Sequence, residues 1–182
     1  LDEVLNAASM APVPAAVKEE ANVDPAKTDQ PACFKHFYGP LTVAEQFPSG
    51  EYPSGQLLDY GQTQIWRSTS AEKKEADRLL EEPVIRDLRQ AAEAHRQVRK
   101  RILPLIKPGM LMMDLVNLIE NGTRTVLGER GLEAGIAFPT GVSRNHCAAH
   151  WTPNPGDTST RLEVEDIVKI DIGMHVRGRI ID

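Results

Sequence analysis

A chain of 182 residues with 41% hydrophobic and 26% charged content has the make-up of a soluble globular protein and the length of one good-sized domain. Its net charge of −5 gives no general electrostatic case for DNA or an anionic membrane as a partner. No apolar run is long enough to span a bilayer, and the start Leu1-Asp2-Glu3-Val4 lacks the basic and apolar regions of a secretory signal. That start has no initiator Met and the other end is a carboxylate, so an excerpt of a longer chain is expected. Cys33 and Cys147 make no disulfide framework, and reduced thiols in a cytoplasmic protein are expected.

Residues 1–33 are rich in Ala, Pro, Glu, Asp and Lys with no sustained period, which predicts a disordered N-terminal extension. Residues 34–67 carry isolated aromatics and two Pro-Ser-Gly units, at 48–50 and 53–55, which predict consecutive turns on an extended arm. His36 is expected to be exposed there. Residues 68–182 read as the folded unit. Thr69 and Glu72 match a capping box, and Pro83 suits the first turn of the next helix. Apolar positions Ile85, Leu88, Ala91, Ala92, His95, Val98 and Ile102 then follow at helical spacing. Arg86, Asp87, Arg89, Glu93, Arg96 and Arg99 are expected to face solvent. Pro104 should end or bend this helix, and Lys107-Pro108-Gly109 reads as a turn.

A second helix carries Leu115, Val116, Leu118, Ile119, Val126 and Leu127, with Gly131 as its expected stop and Gly122 a weak point or a close contact. Two amphipathic helices leading into strands predict an α+β arrangement, a helix layer packed on an antiparallel sheet. The last fourteen residues, 169–182, read as two short antiparallel strands with one carboxylate each. A turn centred on Val176 and Arg177 would set Asp171 directly opposite Asp182. Opposed Cβ atoms lie about 4.5–5.5 Å apart, where like charges destabilise the sheet. A positive species between them is therefore expected, and two divalent ions about 3.5–4 Å apart fit that gap. His175 would sit exposed at the turn.

The densest segment is 137–157, where small residues and turn formers surround His146 and His150. Ala148 and Ala149 leave room for a histidine to project into a cleft. A hydrogen-bonded core histidine and a proton-transferring one weigh about equally on this pattern alone. His95, at an apolar helix position, is expected to be structural. The basic cluster 96–101 reads as a solvated helix face, and Cys147 as a small packing residue.

Several runs together resemble type 2 methionine aminopeptidases. They are Ala137-Phe138-Pro139-Thr140-Gly141, Asn145, Cys147-Ala148-Ala149-His150, Thr152-Pro153-Asn154, Gly156-Asp157, Lys169-Ile170-Asp171 and Gly178-Arg179-Ile180-Ile181-Asp182. Upstream, Glu93-Ala94-His95-Arg96-Gln97-Val98-Arg99-Lys100 and Ile106-Lys107-Pro108-Gly109-Met110 match too, as do Tyr52-Pro53, Gly55-Gln56, Trp66-Arg67 and Thr69-Ser70. The resemblance covers about residues 45–182 in many short motifs, which makes it specific.

It implies the pita-bread (creatinase/aminopeptidase) α+β fold, with this chain supplying the arm and the first half only, an antiparallel sheet covered by two helices. It implies two divalent ions (Mn, Co, Zn or Fe), with Asp171 binding one and Asp182 bridging both. His150 becomes the catalytic, substrate-contacting histidine and Phe138 a wall of the pocket for the methionine side chain. One His and two Glu ligands would lie in a second half, so the chain as given is expected to be catalytically inert. The implied activity is removal of the initiator methionine from nascent proteins, in the cytoplasm, when the second residue is small. A ribosome contact through the basic helix face fits that role, though net charge gives it little support. The rival is a non-catalytic ribosome-associated binding protein on the same fold; against it stand Asp171, Asp182 and His150, each in its place. A proline-directed dipeptidase on that fold fits the run 137–157 poorly. Departures from the family pattern are His146 where Asn is common, Val142 where Cys is common, and an extra residue between Asp157 and Asp171. Leu111 also replaces a polar helix cap, at a cost of about 0.5–2 kcal/mol.

Overall fold

A computed structural model describes residues 37–57, 70–79 and 81–182. The expectations for residues 1–33, for Cys33 and His36, for Trp66-Arg67 and for the Thr69 half of the capping box lie outside those residues. A capping box does occur earlier, at helix α1 (Val43–Gln46): the Thr42 hydroxyl accepts the Glu45 N–H, and the Glu45 carboxylate accepts the Thr42 N–H at 2.7 Å. Helix α2 is Ser70–Leu79.

Helix α3 (Glu82–Ile102) starts with Pro83 in its first turn and gives way to a 3-10 turn, Leu103–Leu105, that contains Pro104. Its buried face runs through Val84, Asp87, Ala91, Ala94, Val98 and Ile102, leaving Ile85, Leu88 and Ala92 half-buried. Asp87 and Glu93, expected in solvent, are only 5% and 4% exposed. Partners explain both burials. The Arg177 guanidinium, 90 residues away in sequence, makes two bonds to Asp87. Glu93 accepts from Arg96 at 2.7 Å and from Gln97 at 2.9 Å. A buried carboxylate is tolerated once its oxygens are matched, and matching moved the buried stripe off the purely apolar one.

The turn at Lys107-Pro108-Gly109 is closed by the Met110 N–H donating to the Lys107 carbonyl at 3.2 Å, with Gly109 at φ +87°. Helix α4 (Met112–Leu127) buries the six apolar residues read from its sequence. Its cap position, Leu111, makes no side-chain bond, but the Thr160 carbonyl accepts the Met112 N–H at 2.9 Å. A carbonyl from a distant loop thus replaces the missing polar cap. The helix stops at Gly128 (φ +69°), not at Gly131 as expected; the Gly128 N–H turns back to the Thr125 carbonyl at 3.3 Å. Gly122 is a close contact: a Cβ there would lie 2.2 Å from the Tyr38 hydroxyl oxygen.

Strands β1 (Ala134–Ile136), β4 (Met174–Val176) and β5 (Arg179–Ile181) form one antiparallel sheet in the order β1-β4-β5. Strands β2 (Gly141–Arg144) and β3 (Val168–Asp171) form a second antiparallel pair. Helices α3 and α4 pack on these strands around a core that includes Ile102, Leu115, Leu118, Ile119, Val142 and Met174.

The register corrects the expected hairpin. Val176 pairs with Arg179, so the turn is Arg177-Gly178 rather than Val176-Arg177. Both turn residues have positive φ, +47° and +77°, as the favoured two-residue hairpin turn requires. Gly178 meets that requirement without cost, and it draws the turn one residue along. His175 consequently lies within β4, half-buried, and not at the turn.

Candidate metal and substrate site

Asp171 ends β3 and pairs with Gly141 of β2, in the sheet that does not contain β5. It is therefore not opposed to Asp182 as the sequence suggested. Ile181 pairs with Met174, and continuing that register by one residue sets Asp182 level with Gly173. Asp171 and Asp182 thus belong to different strand pairs, one closing the β2–β3 ladder and the other following β5.

Asp171 is half-buried, and its carboxylate forms no hydrogen bond or ion pair among the described residues. A partly desolvated carboxylate without a partner is stabilised by a cation. It also lies close over the β2 backbone: a Cβ on Gly141 would be 3.1 Å from Asp171 Oδ2 and 3.3 Å from its Cβ. Asp182 is exposed. These two carboxylates suit a hard divalent ion, but among the described residues no group of three or more His, Cys, Asp or Glu is gathered around one point. The donor set fits part of a metal site.

Phe138 reaches the same place from the other sheet. The Ala137 N–H donates to the Gly173 carbonyl at 2.9 Å, and the Phe138 ring lies against Gly173. Gly173, against which the Phe138 ring lies, comes two residues after Asp171 and level with Asp182 by the β4–β5 register.

His150 is held on the far edge of β2. The Trp151 carbonyl accepts the Val142 N–H at 2.8 Å, the Trp151 N–H donates to Ser143 Oγ at 3.2 Å, and the Thr152 hydroxyl donates to the Thr140 carbonyl at 2.8 Å. The loop between has a left-handed residue at each end, Asn145 at φ +52° and His150 at +62°. Such residues cost about 1–3 kcal/mol each and persist where surrounding bonds over-determine them. Asn145 shows those bonds. Its side chain donates to Asp166 at 2.6 Å and accepts the Ile167 N–H at 3.0 Å, and its own N–H donates to the Ile167 carbonyl at 2.9 Å. His150 and His146 are both exposed, and the half-buried Cys147 donates its thiol weakly to the Ala149 carbonyl.

His95, read as structural, is half-buried on α3 and bonds the Ile172 backbone. Burial pushes its imidazole pKa below the ordinary value and Arg99 pushes the same way, while Asp182 and the Ile172 contact pull it back. Nothing in the residue pattern marks Gly141 or Gly173 for a role. Their only signal was the absence of a side chain beside Asp171 and beneath Phe138.

Residues 86–182 match the sequence profile of metallopeptidase family M24, and the chain belongs to that family, with its pita-bread α+β fold. Within it, the chain is 52% identical over 142 residues to methionine aminopeptidase 2A of Arabidopsis thaliana, covering 78% of this chain and 32% of that protein. It is 54% identical over 140 residues to methionine aminopeptidase 2 of Schizosaccharomyces pombe, covering 77% and 32%. For methionine aminopeptidase 2 of Dictyostelium discoideum the identity is 49% over 142 residues, covering 78% and 32%. The chain therefore spans about a third of the length of these curated relatives.

Proposed function

We propose that this chain forms part of a metal-dependent aminopeptidase that removes the initiator methionine from nascent proteins in the cytoplasm when the next residue is small. The observation that carries this is the half-buried, unpartnered Asp171, two residues before the Gly173 on which Phe138 lies, in a chain of family M24. Asp171 and Asp182 would hold two divalent ions, of the Mn, Co, Zn or Fe kind. Such ions, when bound, make a water acidic enough to act as nucleophile near neutral pH and polarise the scissile carbonyl. Two carboxylates are too few for that site, so further ligands must come from outside these residues.

His150, exposed on its clamped loop, would donate a hydrogen bond to the oxyanion that develops as the peptide bond is attacked. Phe138 offers an apolar wall to the methionine side chain. No described helix is long and apolar enough to cross a membrane. The nascent-chain substrate and any ribosome contact rest on the similarity to the methionine aminopeptidases 2.

The test is a chimaera in which this chain replaces the matching segment of the S. pombe relative. It should release Met from a Met-Ala-Ser peptide after divalent metal is added and stop when metal is chelated. A folded chimaera that never releases Met, or that works equally well in chelator, would contradict the proposal.

A further inference from the structure

Gly173 comes two residues after Asp171, lies beneath the Phe138 ring, and is level with Asp182 by the β4–β5 register. A Cβ at this position would lie 2.1 Å from Phe138 Cε1, 2.3 Å from Cδ1 and 2.6 Å from Cζ. Carbon atoms in contact sit about 3.5–4.0 Å apart, so any side chain here must displace the ring. The backbone is no obstacle, because Gly173 is absent from the glycines with positive φ. Here the ring, and not a turn, is what excludes a side chain. The ring is also tied to the strand, through the Ala137 N–H bond to the Gly173 carbonyl at 2.9 Å.

Resting on the aminopeptidase reading, we propose that Gly173 is a specificity-determining positioning residue. Its lack of a side chain lets the Phe138 ring lie against the backbone at Gly173. That contact sets how far the apolar wall stands from the reacting bond, and so the size of the first side chain that fits. Asp171 and Asp182 are unaffected in identity by a change at 173; what moves is the wall. A methyl group at 173 pushes the ring off the backbone toward the substrate and leaves too little depth for a long, unbranched side chain.

The test uses the same chimaera with Gly173→Ala, Phe138→Ala and the double substitution, and two readouts. Ring-current shifts in NMR read the contact itself: the Gly173 α-protons should be shifted upfield, and the shift should vanish in Phe138→Ala. Kinetics on Met-Ala-Ser read the consequence. Gly173→Ala should raise KM by about tenfold or more, the scale of a methylene-sized misfit in an apolar pocket, with kcat changed less. In the Phe138→Ala background, the same Ala at 173 should have no further effect on KM. Absence of the ring-current shift overturns the inference whatever the activity, and so does a tenfold KM increase that persists in the Phe138→Ala background. A Gly173→Ala protein with unaltered KM does so too. Should Gly173→Ala alone fail to fold, the double variant must fold, since the clash is gone; its failure also counts against the inference. A wild-type chimaera that shows the ring contact but cleaves nothing would instead remove the aminopeptidase reading.

Discussion

Asp171 and His150 flank the same strand, β2, and are fixed by opposite means. Asp171 sits at the end of a four-pair ladder, half-buried, its carboxylate close over the Gly141 backbone. His150 is exposed, at the end of a loop that needs a left-handed residue at each end and side-chain bonds from Asn145 and Ser143 to keep its course. A strand position is set by register, and one substitution does not move it. A loop position is a sum of local bonds and can be loosened gradually. This contrast suits the proposed roles, since a metal ligand must be rigid and a group that follows developing charge needs reach.

The sharpest way to break the contrast is on the strand side. Asp171→Ala in the chimaera should abolish turnover and lower divalent-ion affinity in calorimetry, with little change in fold, because β3 keeps its ladder. Normal affinity and normal cleavage would show that Asp171 is not a ligand. On the loop side, His150→Ala should leave metal affinity largely intact and slow the chemical step by about 10²–10³, the scale of one lost oxyanion donor. Single-turnover kinetics read this directly, and an unchanged step would place the donor elsewhere.

Smaller effects sharpen how the loop is held. Asn145→Ala loses both the tolerance of a positive φ and the bonds to Asp166 and Ile167, and should cost about 1–3 kcal/mol in urea unfolding. Asn145→Gly keeps the backbone at ease and loses only the bonds, so it should cost less. Equal costs would mean that backbone strain at Asn145 is not what the side-chain bonds hold in place.

The smallest effect is on pH. Asp157 accepts bonds from the Thr160 hydroxyl and amide and from Ser159, which hold its carboxyl well below the usual carboxylate range. A depressed folded pKa means that the native state favours the ionised form. The resulting stability is full above the ordinary value of 3.8 and is lost as pH falls below it. Asp157→Asn should therefore lower Tm at pH 7, with the gap to wild type closing in acid. A gap that stays constant down to pH 2 would show that these bonds do not depend on the charge.

Much of this was legible before any coordinates. The α4 stripe was visible because Leu115, Leu118, Ile119 and Val126 are apolar residues buried by apolar neighbours, the situation that periodicity describes. The α3 stripe was misplaced because Asp87 and Glu93 are buried through partners, one of them Arg177, and periodicity cannot see a partner 90 residues away. The hairpin register does have a local signal in the sequence. A turn built on Arg177-Gly178 puts glycine where positive φ is needed, whereas one on Val176-Arg177 puts a β-branched residue there. The site residues were found by their resemblance to a family, which gives identities but not geometry. That Asp171 belongs to the β2–β3 pair, and that Gly173 carries the Phe138 ring, depended on where the chain breaks between strands at Ile172 and Gly173.

Asp171 and Asp182 are proposed to hold the divalent ions on which methionine release depends. The direct test is a manganese titration of the initial rate of Met release from Met-Ala-Ser, on chelator-stripped chimaera in wild-type, Asp171→Asn and Asp182→Asn forms. The wild type should recover its rate and saturate with added Mn, while each Asn variant, alike in shape but without the charge, should stay near zero throughout. Recovery of either variant along the wild-type curve would contradict the assignment.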